Sequence, residues 1–237
     1  MTLHPEYALT KNPFCYRRGL AVRFCCCLLG AMLLYAPSAS AADYRLEPLQ
    51  ESAPKDEVSD EIYQRLQATG FRVIRGKSRT YCKVWLCKEV AVREGNSEGY
   101  PLVEGSLVGV VEFGRRGGDF RDQEIPKGVY TLRFATIPTD GAHEGVSPTP
   151  SFLLLVSASE DQDPSPQDVE SLVEKSAASI DSSHPAIWAL KPPKDGETPG
   201  LWHDEEHDWW LAQLSVPTNG KPKELKFAVV VVGYTEE

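Results

Sequence analysis

Methionine is almost missing from this chain. Of 237 residues only Met1 and Met32 are Met, and both fall among the first 41. A blue-copper site with an axial Met is thereby excluded from the remainder. Cysteine is equally scarce past that point: four of the six lie before residue 42, leaving Cys82 and Cys87. No apolar run approaches the roughly 20 residues that a membrane-spanning helix needs. Basic residues are outnumbered, 25 Lys and Arg against 34 Asp and Glu. Two catalytic signatures are also lacking. The stretch Phe113-Gly-Arg-Arg-Gly-Gly-Asp119 has no Gly-Lys-Ser/Thr ending and no helix pattern after it, so it reads as a hairpin loop and not a phosphate cradle. No G-x-S-x-G nucleophile elbow occurs, and Cys82 sits in an apolar strand context unlike that of a reactive thiol.

The first 41 residues read as a secretory leader. Arg17, Arg18 and Arg23 precede an uncharged run from Phe24 to Tyr35, and Ala39-Ser40-Ala41 gives the small-residue cleavage pattern. The protein is therefore expected to be exported, periplasmic or extracellular, with no stable membrane insertion after cleavage. The leader holds four of the basic and one of the acidic residues, so the remaining 196 carry 21 and 33, a net charge of −12. That balance favours solubility and argues against nucleic-acid binding. One region departs from it. Arg72, Arg75, Lys77, Arg79, Lys83, Lys88 and Arg93 oppose only Glu89. The solvated face of strands is the first reading of this cluster and an anionic ligand the second.

Cys82 and Cys87 in an oxidising compartment raise the question of a disulfide. Five residues apart on one strand they would lie about 16 Å apart at Cα, against the roughly 4.4–6.8 Å of a bridge. A bond would require Lys83-Val-Trp-Leu86 to turn, although Val, Trp and Leu favour strands. Both outcomes stay open.

Alternation and turn chemistry predict a mainly β fold. Leu107–Phe113, Val129–Ile137, Phe152–Val156 and Phe227–Val232 are the clearest strands; Phe71–Arg75, Tyr81–Leu86, Ala186–Leu190 and Trp209–Val216 also fit. Phe152–Val156 and Phe227–Val232 are apolar on both faces, as covered central strands are. Turn clusters at Gly117-Gly118, Pro126-Lys-Gly128 and Asn219-Gly220 separate them. A short helix is expected from Asp60 to Thr69, capped by Ser59 and stopped by Gly70. A longer surface helix is expected at 166–180, capped by Ser165-Pro-Gln-Asp168. Residues 42–58 read as a polar lead, and 59–237 as one domain: an antiparallel two-sheet β-sandwich with one or two short peripheral helices.

Phe120-Arg-Asp-Gln-Glu-Ile-Pro-Lys-Gly-Val-Tyr-Thr-Leu-Arg-Phe134, Asp140-Gly-Ala-His-Glu-Gly-Val146 and Phe152-Leu-Leu-Leu-Val156 resemble a group of exported β-sandwich proteins from environmental bacteria that share a P-x-G-x-Y-T-L strand. The resemblance is clearest over residues 105–160. It implies export and a β-sandwich, and it carries no functional residue.

The densest chemical signal is Leu201-Trp-His-Asp-Glu-Glu-His-Asp-Trp-Trp210. His203 to His207 spells H-x-x-E-H, a zinc-protease pattern that needs both imidazoles on one face of a continuous helix. Beyond Asp208, however, Trp210, Ala212, Leu214 and Val216 alternate with Gln213 and Ser215, a strand period. The expectation is thus an acidic loop with solvated histidines leading into a strand. A looser metal site remains, in which His143, His203, His207 and Glu206 converge on zinc, copper or nickel if their loops share one end of the sandwich. Trp202 and Trp209 are candidate sugar-stacking residues, against the alternative that they fill the sheet interface. Three function classes follow. The leading one is a non-enzymatic module that binds a protein or polysaccharide partner through the 114–122, 138–150 and 200–208 loops. The others are a metal-dependent hydrolase using the His/Glu loop and a carbohydrate-binding module using exposed Trp.

Overall fold

A computed structural model describes residues 43–93, 99–137 and 149–235. The expected leader and His143 lie outside the described residues. The chain opens with β1 (Tyr44–Leu49), α1 (Asp60–Arg65), β2 (Gly70–Arg75), β3 (Arg79–Leu86) and β4 (Leu107–Phe113). A minor hairpin, β5 (Gly117–Gly118) and β6 (Glu124–Ile125), leads to β7 (Gly128–Thr136) and β8 (Ser151–Ser157). After α2 (Val169–Ser179) come β9 (Ile187–Lys191), β10 (Gly200–Asp204), β11 (Trp209–Pro217) and β12 (Glu224–Val232).

The mainly β, antiparallel character expected from alternation is present, but there are not two clearly separate sheets. Ten strands form one sheet in the order β1-β2-β3-β4-β7-β8-β9-β12-β11-β10. The joint is β9, which pairs Ile187–Ala189 with β8 and Leu190–Lys191 with β12. One short strand thus hydrogen-bonds to both halves, and the sheet curls until its edges, β1 and β10, approach each other. Tyr44 and Trp210 touch across this seam, ring centroids 5.4 Å apart.

Alternate residues of the sheet fill the interior: Val73, Val84, Leu132, Leu153, Trp188, Leu214 and Phe227 are all buried there. The void they leave is about 10 Å³. That is at the lower limit for one water molecule, so the interior is a packed core and not a ligand chamber.

The outer face is covered locally. Val58, Ile62 and Leu66 join the main core around the buried Trp85, whose indole N–H donates to Glu51 O at 2.7 Å. Leu172 of α2 packs on Ala135, Leu154 and Val156. Beside α2, Arg133 is fully buried in an ion pair with Asp161.

Four local expectations change. Residues 44–49, expected within a polar lead, form edge strand β1, in which Pro48 pairs with Phe71; an edge tolerates a residue without an N–H. The first helix ends at Arg65, because Leu66 is already extended and bridges to Cys87. Gly70 opens β2 and is needed there for close approach: a Cβ would lie 2.4 Å from Val84 O. The second helix starts at Val169, capped by Asp168, whose carboxylate accepts from Ser171 N–H at 2.9 Å. Ser165 lies three residues ahead of that cap in a bend, where its carbonyl accepts from Arg133.

Candidate functional site

The His-rich stretch forms a β-hairpin. Gly200–Asp204 pairs with Trp209–Gln213, and only residues 205–208 make the turn. Asp208 closes it at φ +55°, a left-handed conformation that Asp tolerates better than most residues. His203 thus stands on strand β10 and not in a solvated loop as expected; its side chain is 24 % exposed. The pleat of β11 continues to Pro217, as the period of two required.

Pleating then separates the two imidazoles. His203 pairs across the ladder with Trp210 and stacks on it, 4.5 Å between centroids. Trp209 projects from the opposite face, and His207 stacks on that ring at 4.3 Å. Two His–Asp contacts lace the turn: His203 Nε2 to Asp208 Oδ1 at 2.7 Å and His207 Nδ1 to Asp204 Oδ2 at 3.1 Å. Burial by itself raises the Asp204 carboxyl, but the His207 hydrogen bond and charge outweigh it and hold the group below the usual carboxylate range. The continuous helix that H-x-x-E-H requires is replaced by this hairpin.

Of the looser metal set, His143 lies outside the described residues. β7 ends at Thr136 and β8 begins at Ser151, a paired couple at the opposite end of the sheet from the β10–β11 turn. The 114–122 connection does share the turn's end, where Phe120 meets Trp209 at 5.1 Å. Among the described residues no three His, Cys, Asp or Glu side chains gather in a metal-binding arrangement.

Of the two sugar-stacking candidates, Trp209 is only 2 % exposed, with His207 stacked on it, the Lys191 ammonium 5.0 Å from its centroid and its N–H donating to Tyr234 O. Trp202 is half-buried under the Lys194 ammonium, 3.3 Å from its ring centroid, and its buried Nε1 has no hydrogen-bond partner among the described residues. The two thiols are free and buried. Cys82 faces Val73 in the β2–β3 ladder, and the Cys87 thiol donates to Leu107 O at 3.5 Å. Burial pushes Cys82 well up and Cys87 to about 12, so neither is a thiolate nucleophile.

A cleft of about 760 Å³ opens beside the hairpin, at the seam where the curled sheet nearly closes. Its walls come from four distant parts of the chain: Tyr44 of β1, Arg75 of β2, residues 205–210 of the hairpin, and residues 232–235 after β12. The Arg75 guanidinium lies 5.7 Å over the Tyr44 ring, and Tyr44 in turn leans on Trp210. Behind them runs a file of edge-to-face rings, Tyr44 to Tyr81 to Phe113 to Trp188, which fixes the wall rigidly. Tyr234 is the exposed large aromatic of the rim, 46 % accessible. Gly233 seats it at φ +114°, where a Cβ would lie 2.5 Å from Trp209 Cδ1. Glu205 and Glu206 stand exposed at the mouth, whereas Asp208 is engaged by His203. The cleft therefore offers aromatic faces, free carboxylate acceptors and one guanidinium donor. Sequence reading missed Tyr44, Arg75, Trp210 and Tyr234 as a group; Tyr234, a lone aromatic after the last strand, was the one local hint.

No protein-family model, no curated protein and no solved structure matches this chain.

Proposed function

We propose that this chain is an exported binding module, acting without catalysis, and that it holds a neutral, hydroxyl-rich ligand of the saccharide class in the seam cleft. The cleft's composition carries the reading. The exposed Tyr234 ring suits the C–H face of a sugar ring, with Tyr44 and Trp210 packed as the wall behind it, while Glu205, Glu206 and Arg75 suit its hydroxyls. Its walls set three exposed carboxylates, one of them engaged by His203, against one guanidinium, a balance that disfavours an anion. Export rests on the basic, apolar and small-residue order of residues 17–41 and on the sequence resemblance around Pro126–Leu132. The absence of catalysis is inferred from the hairpin: among the described residues, the side-chain hydrogen-bond partners of His203 and His207 are Asp208 and Asp204, and neither is a hydroxyl or thiol nucleophile.

The test is retention of the purified protein on cellulose, chitin and starch, followed by calorimetry with the matching hexasaccharide. Tyr234→Ala and Glu206→Gln, both at exposed positions, should weaken binding about tenfold or more with unchanged melting temperature. No retention on any of the three supports, or affinity indifferent to both variants, overturns the proposal.

A further inference from the structure

A second groove, of about 370 Å³, shares no lining residue with the seam cleft, although its Arg79 is the cross-strand partner of Arg75 there. It is lined by Arg79, Thr80 and Lys83 of β3, by Glu112 of β4, and by Gly114 and Arg115 just beyond β4. Three cations meet one carboxylate there. Most other basic side chains of this region are engaged inside the protein. Arg72 and Arg45 share Glu47, Lys83 bridges Glu51 and Glu112, and Arg116 is bidentate to Glu124. Lys88 donates to Gln64 O and Arg93 to Tyr100 O. Arg79 and Arg115 differ: among the described residues neither has a carboxylate or carbonyl partner, and both line this one groove. In a chain of strongly acidic balance, the one carboxylate of this groove, Glu112, is paired with Lys83, which leaves the two guanidinium groups without an acid partner among the described residues.

We propose that this groove is a phosphomonoester-binding site, with Arg79 and Arg115 as the recognition residues. The lining sums to two positive charges, which matches a group that carries about −1.5 to −2 at neutral pH. Planar guanidinium forks fit phosphate oxygens two at a time. The Thr80 hydroxyl supplies a further donor, and the space over Gly114 is open, with nothing within 4 Å of where its Cβ would be. The groove is larger than a phosphate group alone, so it takes the ester's carrier as well. Either free phosphate or a phosphorylated small molecule presents this chemistry; the volume favours the second.

Calorimetry on the purified protein at low salt distinguishes them, with inorganic phosphate, glucose 6-phosphate, glucose 6-sulfate and glucose as probes. Glucose 6-phosphate should bind, inorganic phosphate more weakly, the singly charged sulfate ester more weakly still, and glucose not at all in this groove. Binding should weaken as the pH falls through about 6, where the phosphate takes up its second proton, and as ionic strength rises. Arg79→Gln and Arg115→Gln should each lower affinity about tenfold or more, and Arg115→Lys less, because it keeps the charge and loses the fork. Both positions are exposed, so melting temperatures should not move, and neither residue lines the seam cleft, so saccharide retention is a separate readout. No binding of either phosphate probe, a sulfate ester that binds as tightly as the phosphate ester, or binding indifferent to both Gln variants overturns the proposal.

Discussion

Asparagine in place of Asp161 removes one charge from the most deeply buried ion pair described in this fold. Arg133 and Asp161 are 0 % and 1 % exposed at the side chain. The guanidinium donates to Asp161 Oδ2 through Nε at 2.7 Å and to Oδ1 through Nη2 at 2.8 Å. It also donates to the carbonyls of Gly105, Ser165 and Asp163, so all of its edges are used. Thr131 Oγ1 donates to the same carboxylate. In Asp161→Asn the amide turns a donor toward either Arg133 or Thr131, and an uncompensated cation stays buried. Breaking such a pair from one side costs about 3–5 kcal/mol, a large share of the roughly 5–15 kcal/mol that holds a domain together. At about 2–4 °C per kcal/mol for a domain of this size, the melting temperature should fall by about 6–20 °C. Arg133→Met should cost a similar amount. The double variant Arg133→Met/Asp161→Leu should recover much of the loss, since a well-packed apolar pair replaces a buried ionic one at little net cost. Urea unfolding of the parent, Arg133→Met, Asp161→Leu and their double variant closes the cycle and gives the coupling energy directly. A cost below about 1 kcal/mol for Asp161→Asn, or a double variant as unstable as the sum of the singles, would refute the reasoning.

Three further outcomes follow from the same geometry. Gly105 sits at φ +71° with Gln167 O only 1.8 Å from the position of an added Cβ, so Gly105→Ala should destabilise by more than about 2 kcal/mol; a melting curve that overlays the parent's would contradict the close packing of this loop on the lead-in to α2. With Cys82 and Cys87 free and buried, Ellman titration of protein lacking residues 1–41 should find no reactive thiol in the folded state and two after denaturation without reductant; zero thiols in denaturant would mean a bond that the fold does not contain. Asp204 is held below its ordinary carboxylate value, so its contribution to the hairpin is fully present above about pH 4 and is lost as the pH falls through the lowered value. His207→Ala should move the Asp204 carboxyl titration upward in a carbon-detected NMR experiment, and an unchanged titration would show that the His207 contact is not what lowers it.

Strands were legible wherever the sequence alternates or stays apolar for five residues or more. Tyr130, Leu132 and Phe134 face one way and Thr131 and Arg133 the other, in β7 as in the sequence. Phe152–Val156 and Phe227–Val232 became interior members of the sheet order, consistent with their two apolar faces. Strand β1 was not legible, because Tyr-Arg-Leu-Glu-Pro-Leu has a proline and two charges, and what makes it a strand is the free edge of β2. Nor was the cap of α2: Ser165 had the better local pattern, but it lies in a bend ahead of the cap, its carbonyl accepting from Arg133, more than thirty residues earlier. The candidate site was half legible. The period of two after Asp208 correctly set a strand against the zinc-protease helix, yet the 200–204 arm of the hairpin and the opposed faces of His203 and His207 needed the ladder itself.

What the sequence determined by itself was local: residue spacing of two sets strand faces, turn residues end strands, and the sparing use of Met, Cys and positive charge excludes whole chemistries. These depend on neighbours within a few residues and need no knowledge of the rest of the chain. Whether the strands form one curled sheet or two stacked ones, and which side chains meet at its seam, was decided only in three dimensions. The reason is that β9 can hydrogen-bond to β8 and β12 at once, a choice made by partners some thirty to forty residues away on either side. The same closure brings Tyr44 and Arg75 against Trp210 and Tyr234, residues that nothing in the linear order connects.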